Sequence, residues 1–290
     1  MARDVLLGAD AGTGGFRIGL YALDGKELGY GMTEYETVHK YPGWAEQDPE
    51  DWWNCLKEGI GKALAKAGIE KDRVLAMAID TTGCSPVFSK KDGTPVRPCL
   101  LWMDVRSAEY AKFVKDTTGY TYTAEWMPPK LLWMKNNEPD NLDATEVITD
   151  SYGWLMYKLT GEWGDGLSCV GSWGYDPDIK RISPDFYESI GIREVAEKFT
   201  QKEPLPPGTP AGNLSQQAAD FLGLDTDTLV VHGGIDSPIG ILGMGVARPG
   251  KLVLLTGSSH LVMGLSETSR GGSSFKPIAG GLVKGLSQRP

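Results

Sequence analysis

The spacing of apolar positions changes several times along the chain, and each change marks an element. Residues 5–9 form a short apolar run that predicts a strand, which the Asp10-Ala11-Gly12-Thr13-Gly14-Gly15 segment is expected to interrupt. A β pattern resumes over residues 16–23, Asp24-Gly25 reads as a hairpin turn, and residues 26–34 supply a third antiparallel strand. This meander differs from a dinucleotide-binding start, where a helix follows the first glycine loop. The polar stretch 42–50 ends in Asp48-Pro49-Glu50, a helix start with proline in the first turn. Trp53, Leu56, Ile60, Leu64 and Ala67 then recur at helical spacing, and Gly68 ends the helix.

Residues 74–79 read as a buried strand ending at Asp80, and residues 85–89 with Asp92-Gly93 as a further hairpin. Helices are predicted over 105–114, 129–135 and 151–159. Residues 160–185, rich in Gly, Trp, Ser and Asp, predict a loop-rich insertion whose aromatics pack or contact a ligand. The Leu205-Pro206-Pro207-Gly208-Thr209-Pro210 run is a rigid connector. An apolar strand over 228–232 leads through Gly233-Gly234-Ile235-Asp236 into an apolar helix over 238–246. Strands over 251–255 and 261–265, joined by Thr256-Gly257-Ser258-Ser259, repeat the opening hairpin. Two such hairpins facing each other would grip a phosphate chain from both sides.

Composition narrows the partners. With 41% hydrophobic and 23% charged residues over 290 positions, the chain is that of an ordinary soluble globular protein. A net charge of −9 argues against a nucleic-acid partner but leaves room for a small anion held by a local nest of donors. Cys55, Cys84, Cys99 and Cys169 lie far apart, and with three histidines in the chain no zinc-ligand spacing arises, so reduced thiols are expected. No window approaches twenty apolar residues and no cleavable leader is visible, so no membrane partner is expected and the location is read as cytoplasmic.

Five segments carry candidate chemistry. In the first, Gly12 and Gly14 let backbone N–H groups converge on an anion, and Thr13 adds a hydroxyl. Asp10 is placed to hold hydrated Mg2+, and Arg17 to reach a phosphate oxygen. The segment is not a Walker A loop, and a plain glycine-rich turn is its alternative. In the second, Asp236 stands where a strand hands over to a helix, and a carboxylate there either accepts a hydroxyl proton during phosphoryl transfer or caps the helix. In the third, Trp102-Met103-Asp104-Val105-Arg106 reads as a polyol contact or as a core tryptophan beside a surface Asp–Arg pair. Asp80-Thr81-Thr82-Gly83-Cys84-Ser85 either lines the sugar pocket or is polar turn chemistry, and Thr256-Gly257-Ser258 is a second phosphate grip or a hydroxyl-rich turn.

The segments GADAGTGGFRIGLYALDG, PGWAEQDPEDWW, LLWMDVRSAEYA, PKLLWMKNN, HGGIDSPIGILGMG and LLTGSSHLVMG, in this order, resemble the FGGY family of carbohydrate kinases across residues 4–266. The resemblance implies an α/β, ribonuclease-H-like (actin/hexokinase-type) fold with a mixed five-stranded sheet flanked by helices. It implies Mg·ATP as phosphoryl donor and a sugar or polyol as the small-molecule substrate. Asp10, Gly12, Thr13, Gly14 and Arg17 fall in its first phosphate loop, and Thr256, Gly257 and Ser258 in its second. Asp236 falls at the general base and at the substrate, and Thr82, Gly83, Trp102 and Asp104 where sugar contacts are expected. Glycerol kinase-like members carry an Arg-Glu pair where this chain has Thr82-Gly83, which points away from glycerol and toward a ketopentose such as ribulose or xylulose, or a related polyol.

Members of that family continue with a second domain of comparable size. The expected division is therefore an N-terminal kinase domain over 1–246 and a truncated start of the second domain over 247–290. A chain so divided is expected to have little activity by itself. The alternative is a non-catalytic carbohydrate-binding or interaction module derived from a kinase. Unpaired strand edges near residues 252–265 would then suit a homodimer.

Overall fold

The opening meander is formed by β1 (Val5–Gly12), β2 (Gly15–Ala22) and β3 (Glu27–Glu34), which pair antiparallel in sequence order. A computed structural model describes residues 3–256, 260–267 and 287–289 of the chain. In β1 the odd positions Val5, Leu7, Ala9 and Ala11 are buried, the period-2 signature of a sheet with one face in the core. The expected interruption at Asp10 does not occur. The strand continues to Gly12, which pairs with Gly15 across the two-residue turn Thr13-Gly14, so Asp10 stays inside the ladder opposite Arg17.

Helix α1 (Pro49–Ala67) begins where Asp48 accepts from the Glu50 N–H and ends where Gly68 takes a left-handed φ of 62°. It packs on β2 and β3 at close range. A Cβ on Gly31 would stand 2.3 Å from the Gly59 carbonyl oxygen of the helix, so that contact requires glycine. The chain then enters β4 (Val74–Thr81), parallel to β1. Later come α2 (Ser151–Thr160), the edge strand β5 (Pro210–Asn213) and β6 (Leu229–Ile235), the last parallel to β4. The sheet order is β5-β6-β4-β1-β2-β3. The expected five-stranded mixed sheet is present, and β5 adds a short sixth strand where the proline-rich connector lies along β6.

One other segment gains a distant partner, and another takes the packing role of the two expected of it. The chain after Pro86–Ser89 does turn back at Asp92-Gly93, where Ser89 bridges Pro95, but the strand partner is Val147–Asp150, with Phe88 opposite Ile148, 60 residues on, a separation that local reading does not reach. The 160–185 segment is packed rather than ligand-facing at its centre: Trp173 is fully buried, with its ring centroid 5.6 Å from that of Phe199.

After β6, α3 (Asp236–Gly243) begins two residues earlier than the apolar run suggested, with Asp236 in its first turn. Beyond it β7 (Leu252–Thr256) and β8 (His260–Ser266) form an antiparallel pair, extended by Ser287–Arg289. Ile241, Val246, Met263 and Leu265 make a small buried cluster there, separate from the main core. Among the described residues no helix is long and apolar enough to cross a membrane.

Candidate active site

Parallel pairing of β1 with β4, and of β4 with β6, brings three strand ends to one edge of the sheet, where α/β proteins bind ligands. In register, Asp10 lies opposite Asp80 on one side and Arg17 on the other, while Gly234 lies opposite Asp80 from β6. Two residues past Gly234, Asp236 opens α3. The edge therefore gathers three carboxyl groups and one guanidinium.

Their electrostatics follow from burial and crowding. The Arg17 guanidinium holds Asp10 at 2.8 Å, and that hydrogen bond pushes the arginine's own pKa up. Asp80 is pushed up to about 9, first by burial, then by the charges of Asp10 and Asp236 and by its hydrogen bond with Asp10. Its Oδ1 is buried without a partner. Asp236 is raised to about 6, chiefly by burial, although the Ser237 N–H donates to its Oδ1 at 2.6 Å and opposes the shift. Three adjacent carboxyls cannot all ionise, and the most buried keeps its proton.

That assignment has a consequence for stability. A carboxyl whose folded pKa is raised above its ordinary 3.8 stabilises the fold fully below pH ~4 and less as pH rises through the folded value, near 9 for Asp80. The melting temperature is expected to fall between pH 5 and 9, and Asp80→Asn to flatten that fall. A scan of melting temperature against pH on both proteins checks it, and equal slopes would remove the buried proton.

The first turn is held from three directions. Gln47 Nε2 donates to the Thr13 carbonyl at 2.8 Å, Trp102 Nε1 donates to Thr13 Oγ1 at 3.1 Å, and the Tyr35 hydroxyl donates to the Gly12 carbonyl. Gln47 is itself fixed by the buried Trp52 Nε1 at 2.8 Å, which ties the turn to α1. A Cβ at Gly12 would stand 3.0 Å from the Arg17 guanidinium, whereas Gly14 faces open space.

Thr82 and Gly83 lie at the end of β4, with the Thr82 N–H donating to the Ala11 carbonyl at 3.1 Å. A Cβ on Gly83 would meet Ile235 at 2.8 Å, so glycine lets this loop approach the residue preceding Asp236. Trp102 is anchored beside them, its N–H donating to Ser85 Oγ at 3.1 Å. Asp104 does not join this group in the open. It is wholly buried, and its oxygens accept from the Ala45 N–H at 2.7 Å and from the Arg106 side chain at 2.7 and 2.9 Å. Arg106 in turn lies 3.5 Å over the Trp44 ring and 4.9 Å from the Trp133 ring centroid. Thr256 stands exposed at the end of β7, and Gly257 and Ser258 lie outside the described residues.

Several residues that shape the site carry no motif of their own. Asp80 could be singled out only as an acidic end to an apolar strand. The Ile235 N–H donates to Ser168 Oγ at 3.3 Å, and the Gly233 N–H to the Tyr152 hydroxyl at 3.1 Å. The same hydroxyl meets His232 Nδ1 at 2.9 Å. A Cβ on Gly233 would sit 2.0 Å from the Ile79 carbonyl oxygen, so β6 lies this close beside β4 only as glycine. Depressions of about 130 and 410 Å³ near Trp163 are lined by other residues.

Comparison with known proteins gives this geometry a setting. Residues 5–243 match the family described as "FGGY family of carbohydrate kinases, N-terminal domain". A ribulokinase of Anoxybacillus flavithermus is 26% identical over 308 aligned positions, which cover 92% of this chain and 54% of the relative. An autoinducer-2 kinase of Escherichia coli is 30% identical over 267 positions, covering 87% of this chain and 49% of the relative. The chain thus spans about half the length of the curated relatives it matches. Among solved structures, a xylulose kinase from Rhodospirillum rubrum superposes with a TM-score of 0.85 at 23% identity, over 98% of this chain and 59% of that one. At that identity the superposition speaks for the fold, which is shared. With its first 243 residues matched almost end to end and the sheet arranged accordingly, the chain belongs to the FGGY family of carbohydrate kinases.

Proposed function

We propose that this chain contributes the sugar-binding face and the first phosphate loop of an ATP-dependent kinase acting on a sugar or polyol hydroxyl, with Asp236 as general base. The observation that carries the proposal is the placement of Asp236. It opens α3 beside the Asp10–Arg17 hairpin, and burial raises it to about 6, so it is ionised yet basic at neutral pH. A carboxylate at that poise takes the proton from the attacking hydroxyl oxygen as that oxygen bonds to phosphorus.

The donors at the edge suit a nucleotide with its metal. Asp10 offers hard oxygen atoms at this edge, and Mg2+ needs only one or two protein carboxylates besides phosphate and water. When bound, Mg·ATP supplies the transferable phosphoryl group and the cation that neutralises its developing charge. Arg17 and the N–H groups around Gly12, Thr13 and Gly14 orient phosphate oxygens, and Thr256, Gly257 and Ser258 are the proposed second grip. On the sugar side Trp102 covers a C–H face and the Thr82-Gly83 loop lies beside the hydroxyl presented to Asp236. Asp104 acts there through Arg106 and the Ala45 N–H, ordering the Trp102 loop from beneath.

A ketopentose is the preferred substrate class, because Thr82-Gly83 replaces an acidic-basic pair and the sequence relatives include a ribulokinase. The test is a screen of this chain with Mg·ATP against pentuloses, pentitols, glycerol and hexoses. Phosphorylation or binding strongest with a pentulose supports the proposal, and a preference for glycerol or hexoses overturns the substrate class. Sugar binding without turnover by this half-length chain fits either reading, and binding without turnover after a complete second half is joined to it would identify a non-catalytic binding module instead. Where turnover occurs, kcat/KM should rise with pH through an acid limb near 6 as Asp236 loses its proton. A flat profile between pH 5 and 7 would contradict the base assignment.

A further inference from the structure

Lys130 is used by none of the roles above. It stands on the helix Met127–Asn137 and is wholly buried. Its ammonium donates to the carbonyl oxygens of Leu101 at 2.6 Å and Cys84 at 2.7 Å, with that of Leu100 at 3.4 Å. Its hydrogen-bond partners are thus all main-chain carbonyls. Burying a cation is unfavourable, and a methionine would fill much the same volume, so the donors must do something an apolar side chain cannot. Burial lowers the ammonium to about 8, which leaves it charged at neutral pH.

The carbonyls it gathers belong to two different loops. Cys84 directly follows Thr82-Gly83, and Leu100 and Leu101 directly precede Trp102. Cys84 also adopts a φ of 57°, a left-handed conformation that a non-glycine residue holds only when its surroundings impose it. Beside the ammonium a second tie joins the same two loops, the Trp102 N–H to Ser85 Oγ hydrogen bond at 3.1 Å. From Trp102 the connection continues to Thr13 in the phosphate hairpin.

We propose that Lys130 is a positioning residue for the sugar site: its ammonium fixes the spacing between the Thr82-Gly83 loop and the Trp102 loop without touching substrate. The inference rests on reading those two loops as the sugar face. An apolar residue at this position would take the ammonium from all three carbonyls, the Leu101 carbonyl keeping the Asp104 N–H at 3.0 Å, and free the loops to separate. Sugar affinity would fall, whereas the Asp10–Arg17 hairpin keeps its own supports from Tyr35 and Gln47.

The test uses the whole chain and Lys130→Met, with 15N labelling and the Trp102 indole resonance assigned through Trp102→Phe. The expected result is a cooperative melt, a displaced or broadened Trp102 resonance, and affinity for D-ribulose and D-xylulose weakened about tenfold to hundredfold. Affinity for Mg·ATP should not change. A folded Lys130→Met protein with the Trp102 resonance in place and unchanged sugar affinity overturns the proposal. If the wild-type chain binds neither ketopentose, the functional reading fails instead, and the Trp102 resonance alone decides the clamp. Should Lys130→Met not fold, Lys130→Gln, which keeps a carbonyl donor, is read by the same two signals. Failure of both to fold would assign the lysine to stability alone and overturn the positioning role.

Discussion

Asp236→Asn is expected to lower the rate of sugar phosphorylation about 10²- to 10⁴-fold, the range for loss of a general base, in any preparation of this chain that turns sugar over. On the transition-state scale that is roughly 3–5.5 kcal/mol. The asparagine oxygen can still accept the Ser237 N–H, so the start of α3 and the local packing are preserved. What the amide cannot do is accept the hydroxyl proton. Sugar affinity should therefore stay close to wild type while kcat collapses, a split that a folding defect would not produce. Removing a negative charge also relieves Asp80, whose carboxyl is raised partly by Asp236. Product formation and calorimetric sugar titration on the same protein separate the two effects. Undiminished turnover would remove Asp236 from the chemistry.

The second large effect concerns stability. Asp104→Ala should destabilise the fold by about 3–5 kcal/mol, because it strips a carboxylate from a buried guanidinium. Arg106 is about as buried as Asp104, with side-chain exposures of 1% and 0%, and Asp104 supplies most of its short contacts. Glu46 remains at 2.9 Å but is shared with Arg97, so it compensates in part. The Ala45 N–H would lose its acceptor as well. A drop in melting temperature on the order of 10 °C follows for a chain of this size. Asp104→Asn should retain more stability than Asp104→Ala, since an amide oxygen can still accept from Ala45. A change in sugar affinity with unchanged melting temperature would instead place Asp104 in direct contact with substrate.

The two carboxylates show why one kind of residue was easier to read than another. Asp236 follows a strand and precedes an apolar helix, and local order alone puts such a side chain at a strand end. Asp104 follows an apolar pair and a tryptophan, which marks a loop near a site but not the direction of the side chain. Its burial depends on Arg106 stacking on Trp44 and Trp133, which lie 62 and 27 positions from that arginine in sequence, and on the Ala45 N–H arriving from the other side. Asp80 was visible as the end of a strand. Its raised pKa was not, because that needs Asp10 and Asp236 brought against it by parallel pairing.

By itself the sequence determined the meander, the capped helix over Pro49–Ala67, the strand leading to Asp80, and the carboxylate at the start of α3. These follow from period-2 and period-3.6 burial and from turn and cap chemistry, which act between near neighbours. Only the tertiary structure decided that β1 runs unbroken through Asp10, that Pro86–Ser89 pairs with Val147–Asp150, and that Lys130 gathers carbonyls from two loops. The physical reason is the range of the interactions. Local patterning specifies which face of an element is buried, whereas the partners of a buried charge or an unpaired carbonyl are set by whichever distant segment the packed sheet brings within 3 Å.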